Sequence, residues 1–288
     1  MIVCRAIGRH DGALTNRNFA AQFTTEQGAT EGNLVGMTAQ GFLPSWGCYP
    51  VTIPPGYLSE FLFMLTLYQF ESCPFCSKVK SLLHFAKIPY KPVEVNPMNS
   101  KELEPLGLKK VPVLVDGGQV VTESSVIMDY VNDHFAHLSN DDTVPEWREW
   151  VDNTLVHFIP PIIYKDFGTA WQTFGQVLKP SGFGVIKRTM IRFAGSLAMS
   201  KSSQKKARER GITDAPAGLT EAVAHWVNDG LAGRTFHGGV TPDLADLSVF
   251  GVFRSTDGLA AVSLAKASNP AFAKWYEQLK SVTASTAV

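Results

Sequence analysis

The 288 residues are 45% hydrophobic and carry 26 basic against 26 acidic side chains, so the formal net charge is zero. That balance leaves no global field to draw the protein to nucleic acid, and four cysteines in this length do not make a secreted disulfide framework. No apolar run is long enough to span a bilayer.

Residues 1–60 read as an extension rather than a packed domain. Arg5, Arg9 and Arg17 dominate the first twenty residues with only Asp11 opposing, which fits either an organelle presequence or an unstructured arm. Gly, Pro, Thr and Gln are frequent from Gln27 to Gly56, which argues against a core there.

Residues 61–136 read as one α/β unit. The apolar run from Phe61 to Tyr68 predicts a first strand over 63–69, and Val79, Leu82, Leu83 and Ala86 recur at helical spacing after it. Short strands follow at Lys91–Val95, Val111–Val115 and Gln119–Val121, with Asp116-Gly117-Gly118 as the hairpin turn between the last two. A helix from about Ser124 to Phe135, with Ile127, Tyr130, Val131 and Phe135 on one face, closes the unit. This order, β-α-β then β-β-α, is thioredoxin-like.

A polar linker over 137–145 leads to residues 146–288, which read as all helical. Trp147 and Trp150 start one helix. The stretch 160–186, rich in Pro, Gly and aromatics, reads as loop with short helices, and further helices fall at Ala217–Asp229, Asp243–Arg254 and Phe272–Val282. There is no internal repeat. An α/β thioredoxin-like domain followed by an all-α domain is the glutathione-transferase architecture. Positions 187–210 carry eight basic residues against one acid, Glu209, around the apolar patch Ile191–Met199. Such a helix can lie on an anionic membrane, but a solvated face whose apolar side packs on the domain or on a second subunit is the favoured reading. No stacking aromatics are interleaved with these charges, which argues against nucleic acid.

Cys73-Pro74-Phe75-Cys76 carries the chemistry. A CxxC between a strand and a helix is a thiol-redox arrangement. The helix N-terminus stabilises a thiolate there, making Cys73 the nucleophile and Cys76 the resolving thiol. Zinc would need two more ligands, and Cys4 and Cys48 form no second CxxC. Covalent haem attachment would need His where Ser77 stands, and a Cys73–Cys76 disulfide would close a tiny loop. The seven histidines are scattered, and no metal site is expected.

Two further signals turn the motif into a site. Pro112, preceded by Val111, opens a strand where Pro is tolerated only at a start or edge. A cis Pro there leaves the Val111 N–H and C=O for the backbone of a bound peptide. Glu123-Ser124 begins a helix, whose N-terminus and hydroxyl suit a carboxylate, with Glu123 available to an ammonium group. Taken singly, Pro112 reads as a strand-initiating Pro and Ser124 as an N-cap; taken together, the three elements make a glutathione pocket. Asp243 and Asp246 form a variant capping box and are assigned to folding.

Over roughly residues 62–283 the chain resembles the membrane-associated prostaglandin E synthase 2 family. The resemblance rests on Leu65–Gln69, Cys73–Cys76, Lys110-Val111-Pro112, Ser124–Ile127, Leu155–His157, Lys179–Ala198, Gly238-Gly239, Asp243–Leu247 and Gly251–Arg254. It implies a homodimer of transferase-like fold that binds glutathione and isomerises prostaglandin H2 to prostaglandin E2. Cys73 would attack the peroxide, and Phe70, Phe75, His157 and Phe158 would line an apolar pocket for this lipid substrate. It also implies haem as a second bound group. The family's usual Tyr three residues before the first motif Cys is replaced by Phe70, which cannot donate a hydrogen bond. The family's hydrophobic N-terminal segment is not evident, so a membrane link rests on the basic stretch 187–210. The expected location is intracellular, either cytoplasmic or peripheral on a membrane, with organelle import through residues 1–60 as an alternative. Two other functions compete: a glutaredoxin-like thiol–disulfide oxidoreductase, which needs both cysteines and no tyrosine, and a glutathione-anchored haem or iron–sulfur carrier.

Overall fold

A computed structural model describes the backbone of residues 5–10 and 13–18, and residues 65–97, 99–177 and 185–284. The chain divides into two compact units, 1–52 and 53–288. In the first, β1 (Arg5–His10) and β2 (Ala13–Asn18) pair antiparallel, an element that the reading of 1–60 as an extension did not include. Cys4, Cys48 and the Gln27–Gly56 stretch lie outside the described residues, as do the expected first two residues of the next strand.

The second unit opens with β3 (Leu65–Gln69), whose Leu65, Leu67 and Gln69 are buried while Thr66 and Tyr68 are half-buried. Helix α1 (Pro74–Phe85) follows, with Pro74 at its first position and Cys73 as N-cap. Pro suits that position because its missing N–H would be unpaired anyway. β4 (Tyr90–Glu94) runs parallel to β3, β5 (Val113–Asp116) runs antiparallel to β3, and β6 (Gln119–Thr122) pairs with β5. The sheet order β4-β3-β5-β6 is the thioredoxin-like arrangement read from the sequence. Helix α2 (Ser124–Val131) continues into a π-helical turn, Asn132–Ala136.

The remaining elements are helical: α3 (Val144–Trp150), a π-helical turn (Val151–Leu155), α4 (Val156–Ile163), α5 (Phe167–Val177), α6 (Val185–Glu209), α7 (Ala215–His225), α8 (Leu244–Arg254), α9 (Ala260–Ser268) and α10 (Pro270–Val282). Two regions refine the sequence reading. The stretch read as loop with short helices over 160–186 holds α5 and the end of α4 among its described residues, and burial of Ile159, Ile162 and Ile163 outweighs the cost of Pro160 and Pro161 inside α4. The helix read at 217–229 starts at Ala215, capped by Asp214, and gives way to a π-helical turn after His225.

The core is continuous between the α/β half and the helical half. Leu82, Leu83 and Ile127 belong to the same buried cluster as Phe250, Phe253 and Trp275. Every residue of α8 from Leu244 to Phe253 is buried. Gly251 permits this, since a Cβ there would stand 2.5 Å from the Lys78 Cα of α1. The start of α8 is fixed by the Asp243–Asp246 capping box. Asp246 also accepts from the His237 and Gly238 backbone N–H groups and from Trp275 Nε1 at 2.9–3.1 Å.

The basic segment falls on α6, where Ser196, Ser203 and Ala207 are buried against the domain while Met190, Phe193 and Leu197 stay exposed. Among the described residues no helix is long and apolar enough to cross a membrane.

Candidate functional site

The strand–helix junction after β3 is turned by a hydrogen bond from the Cys73 N–H to the Phe70 carbonyl at 2.9 Å. This leaves Cys73 half-buried at the start of α1 and Cys76 buried one turn later, both as free thiols. The Cys76 N–H donates to Cys73 Sγ at 3.5 Å. The Cys73 thiol is lowered from 9.0 to about 7. The largest cause is its hydrogen bond with the Cys76 side chain; burial opposes it, and the Cys76 and Phe75 N–H groups and the Lys80 charge assist. The same side-chain bond and burial push the Cys76 thiol up. One sulfur is therefore a thiolate near neutrality and the other keeps its proton, the division of labour that nucleophile and resolving thiol require. Lys80 is buried and held by Glu71 at 2.8 Å. Phe70 supplies no hydroxyl, so stabilisation of the thiolate comes from the helix terminus and its neighbours.

Beside this junction is a cleft of about 720 Å³. Phe75 forms one wall, Gly107–Pro112 a second and Thr122–Ser125 a third, while Asp152 enters from the helical half. The Val111–Pro112 peptide is cis. Val111 lies outside the β-ladder, which begins at Val113, so its backbone faces no strand partner. Glu123 precedes α2 at φ 67°, a left-handed conformation that costs a non-glycine residue energy and is held by its surroundings. Its side chain makes no cap hydrogen bond.

The structure thus brings together Phe75, Val111, Pro112, Glu123 and Ser124 in one cleft. Cys73 and Cys76 share α1 with Phe75 but are not among the cleft's lining residues. Phe70, His157 and Phe158 do not line it either. The Phe158 ring packs on Gly218 of α7, where a Cβ would meet it at 2.4 Å. His157 is half-buried, and burial with the nearby Arg210 charge lowers its pKa.

Five polar lining residues were not singled out as ligands by the sequence: Lys109, Lys110, Thr122, Ser125 and Asp152. The lysines adjoin the Val-Pro pair and were visible as a basic flank. Asp152, on the π-helical turn between α3 and α4, gave no local signal. It accepts from Ser125 Oγ at 3.2 Å and from the buried Lys78 Nζ at 2.6 Å. Arg148, one turn earlier, donates to the Ser125 carbonyl at 2.6 Å and to Asp129 at 2.5 Å. The helical half therefore fixes the N-terminus of α2 from below. Among the described residues no group of three or more His, Cys, Asp or Glu is arranged to hold a metal ion.

Comparison with known proteins bears on the fold. Residues 67–139 match the glutathione S-transferase N-terminal domain family. The chain is 32% identical over 248 residues to prostaglandin E synthase 2 of Mus musculus, covering 68% of this chain and 65% of that protein. It is 28% identical over 270 residues to prostaglandin E synthase 2 of Danio rerio, covering 76% of this chain and 71% of that one. The chain thus spans somewhat under two thirds of the mouse relative's length. Among solved structures, a glutathione S-transferase from Rhodospirillum rubrum aligns with TM-score 0.51 at 17% identity over 76% of this chain and 88% of that one. A variant of human glutathione-S-transferase T1-1 in its apo form aligns with TM-score 0.51 at 19% identity over 76% and 84%. These likenesses show a glutathione-transferase fold, with a thioredoxin-like N-terminal half and a helical C-terminal half. On its sequence matches and its fold, the chain is similar to prostaglandin E synthase 2 proteins and carries a glutathione-transferase-like N-terminal half.

Proposed function

We propose that this protein is a glutathione-dependent thiol enzyme that isomerises prostaglandin H2, or a related lipid endoperoxide, to prostaglandin E2. The observation that carries the reading is Cys73, a half-exposed thiol lowered to about 7 at a helix N-terminus, next to a cleft containing the cis Val111–Pro112 peptide. The likeness to prostaglandin E synthase 2 suggests the substrate class.

The chemistry balances without an external oxidant. The Cys73 thiolate attacks one peroxide oxygen, forming an S–O bond as the O–O bond breaks. The other oxygen leaves as an alkoxide and takes a proton, giving the hydroxyl. Loss of the proton from the carbon bearing the sulfur-linked oxygen forms the ketone and expels the thiolate. Glutathione would be held in the cleft by the Val111 backbone, on its peptide, and by the N-terminus of α2 near Ser124, on its γ-glutamyl carboxylate.

The residues lining the cleft offer no imidazole, thiolate, thioether or phenol of their own, so haem there would take its axial sulfur from bound glutathione.

A second reading, reduction of mixed disulfides in the glutaredoxin manner, is favoured by the hydrogen-bonded Cys73–Cys76 pair. Incubation with glutathione and prostaglandin H2, with product quantified against C73S and C76S, separates the two. Prostaglandin E2 formed by wild type and C76S but not C73S supports the isomerase. No product above the C73S background overturns it, and disulfide reduction lost in C76S would support the second reading.

A further inference from the structure

The helical half holds a second, smaller cleft of about 210 Å³, between the π-helical turn Trp226–Leu231 and α10. The thiol chemistry makes no use of it. Val227, Leu231 and Trp275 give it an apolar wall. Trp275 is held by Asp246 at 2.9 Å, so that part of the wall is preformed. The charged part of the lining is cationic throughout. Arg234 and Lys274 line the cleft, and neither a guanidinium nor an ammonium can accept a hydrogen bond. No aspartate or glutamate lines it. Asp141, whose carboxylate feels the Arg234 charge, lies outside the lining and already accepts from the Thr143 N–H and hydroxyl.

The donors are also at liberty. Arg234 gives Nε to the Leu231 carbonyl and Nη2 to the Gly230 carbonyl, which fixes its plane and leaves Nη1 for another partner. Among the described residues, Lys274 Nζ, the Gln278 carboxamide and the Thr235 hydroxyl have no protein partner. Donors set around an apolar wall, with no acid among them, suit an anion that carries an apolar body. The volume equals about seven water molecules and lies below the roughly 300 Å³ at which drug-sized pockets begin, so the ligand has on the order of ten non-hydrogen atoms. A bare phosphate would use the cations and leave the wall in water. We propose that this cleft binds a small organic monoanion, a medium-chain carboxylate whose charged end meets Lys274 and Arg234 and whose alkyl chain lies along Val227, Leu231 and Trp275. Such a site owes nothing to glutathione.

The test is calorimetry of the full chain with octanoate, octanamide and inorganic phosphate. The first two share an alkyl chain and differ in charge; phosphate has charge and no chain. Removing Arg234 would also uncap the turn at Gly230 and Leu231. The informative variants are therefore K274Q, which removes an exposed cation, and A271W, whose indole fills the cleft and leaves both cations in place. Wild type is expected to bind octanoate at least roughly tenfold more tightly than octanamide or phosphate, the range of one charge-assisted hydrogen bond. K274Q should bind octanoate roughly five- to tenfold more weakly, and A271W should not bind it measurably. Octanoate that binds both variants as it binds wild type would place the ligand elsewhere and overturn the assignment. Equal affinity for octanamide would remove the need for an anion, and equal affinity for phosphate would remove the need for an organic body. Either result overturns the proposal, as does the absence of octanoate binding at millimolar concentration.

Discussion

The backbone N–H of Cys76 points at the sulfur of Cys73 from 3.5 Å, so the first turn of α1 solvates the thiolate with its own unpaired donor. Because Cys73 is lowered to about 7 while Cys76 is pushed up, alkylation should be selective. One equivalent of iodoacetamide is expected to react per chain among these two thiols, with a rate that rises through a midpoint near pH 7. C76A removes the side-chain bond that lowers Cys73 most and should move the midpoint upward. An unchanged midpoint in C76A would mean that the helix terminus alone sets it.

Lys80 stands on the same helix and lowers the Cys73 thiol by its charge. K80Q should raise the alkylation midpoint by less than C76A does, since its contribution is the smaller one. The same titration reads it. A larger shift in K80Q than in C76A would contradict the order of causes.

Breaking the Lys78–Asp152 pair from one side should cost far more than removing both. D152A strands the Lys78 ammonium in the core and is expected to lose about 3 kcal/mol, the low end for a buried pair because Asp152 is partly exposed. K78M/D152N should lose much less. Urea unfolding of the three proteins checks this, and equal losses would show that the lysine finds water or another partner.

Gly251 lets α8 cross α1 at backbone contact. The G251A methyl would meet the Lys78 Cα at 2.5 Å and its nitrogen at 2.7 Å, atoms that cannot swing aside. The expected destabilisation is about 1–3 kcal/mol, visible as a lower urea midpoint with an unchanged slope.

His237 donates to Asp243 at 2.6 Å inside a ring of acids. Burial works against its charge, but Asp243, Asp141 and Asp246 prevail and raise its pKa. A folded-state pKa above the unfolded value means that the stabilisation is fully present below about pH 6.5 and is lost as pH rises through the raised value. The stability advantage of wild type over H237Q should therefore shrink between pH 6 and pH 9. Taking the difference between the two proteins removes the opposite slope from Cys73, whose lowered pKa favours folding at higher pH. An advantage that grows with pH would show that the imidazole is buried neutral.

What the amino-acid sequence determined by itself is the chemistry written within a few residues. The CxxC between strand and helix, Pro112 after Val111, Ser124 at a helix start and the Asp243–Asp246 box are each set by local backbone geometry, so spacing alone revealed them. The strand order followed because hairpin turns and periodicity are also local. Tertiary packing decided the rest. Pro160 and Pro161 look like helix breakers but lie inside α4 because Ile159, Ile162 and Ile163 around them are buried. His157 and Phe158, next to the resemblance motif, turn away from the cleft, Phe158 onto Gly218. Asp152 turns toward it, drawn by a lysine 74 residues earlier. A contact across that separation has no periodicity and no neighbouring turn to announce it. It belongs to the packing of the helical half on α1, where Gly251 of α8 stands against the Lys78 backbone.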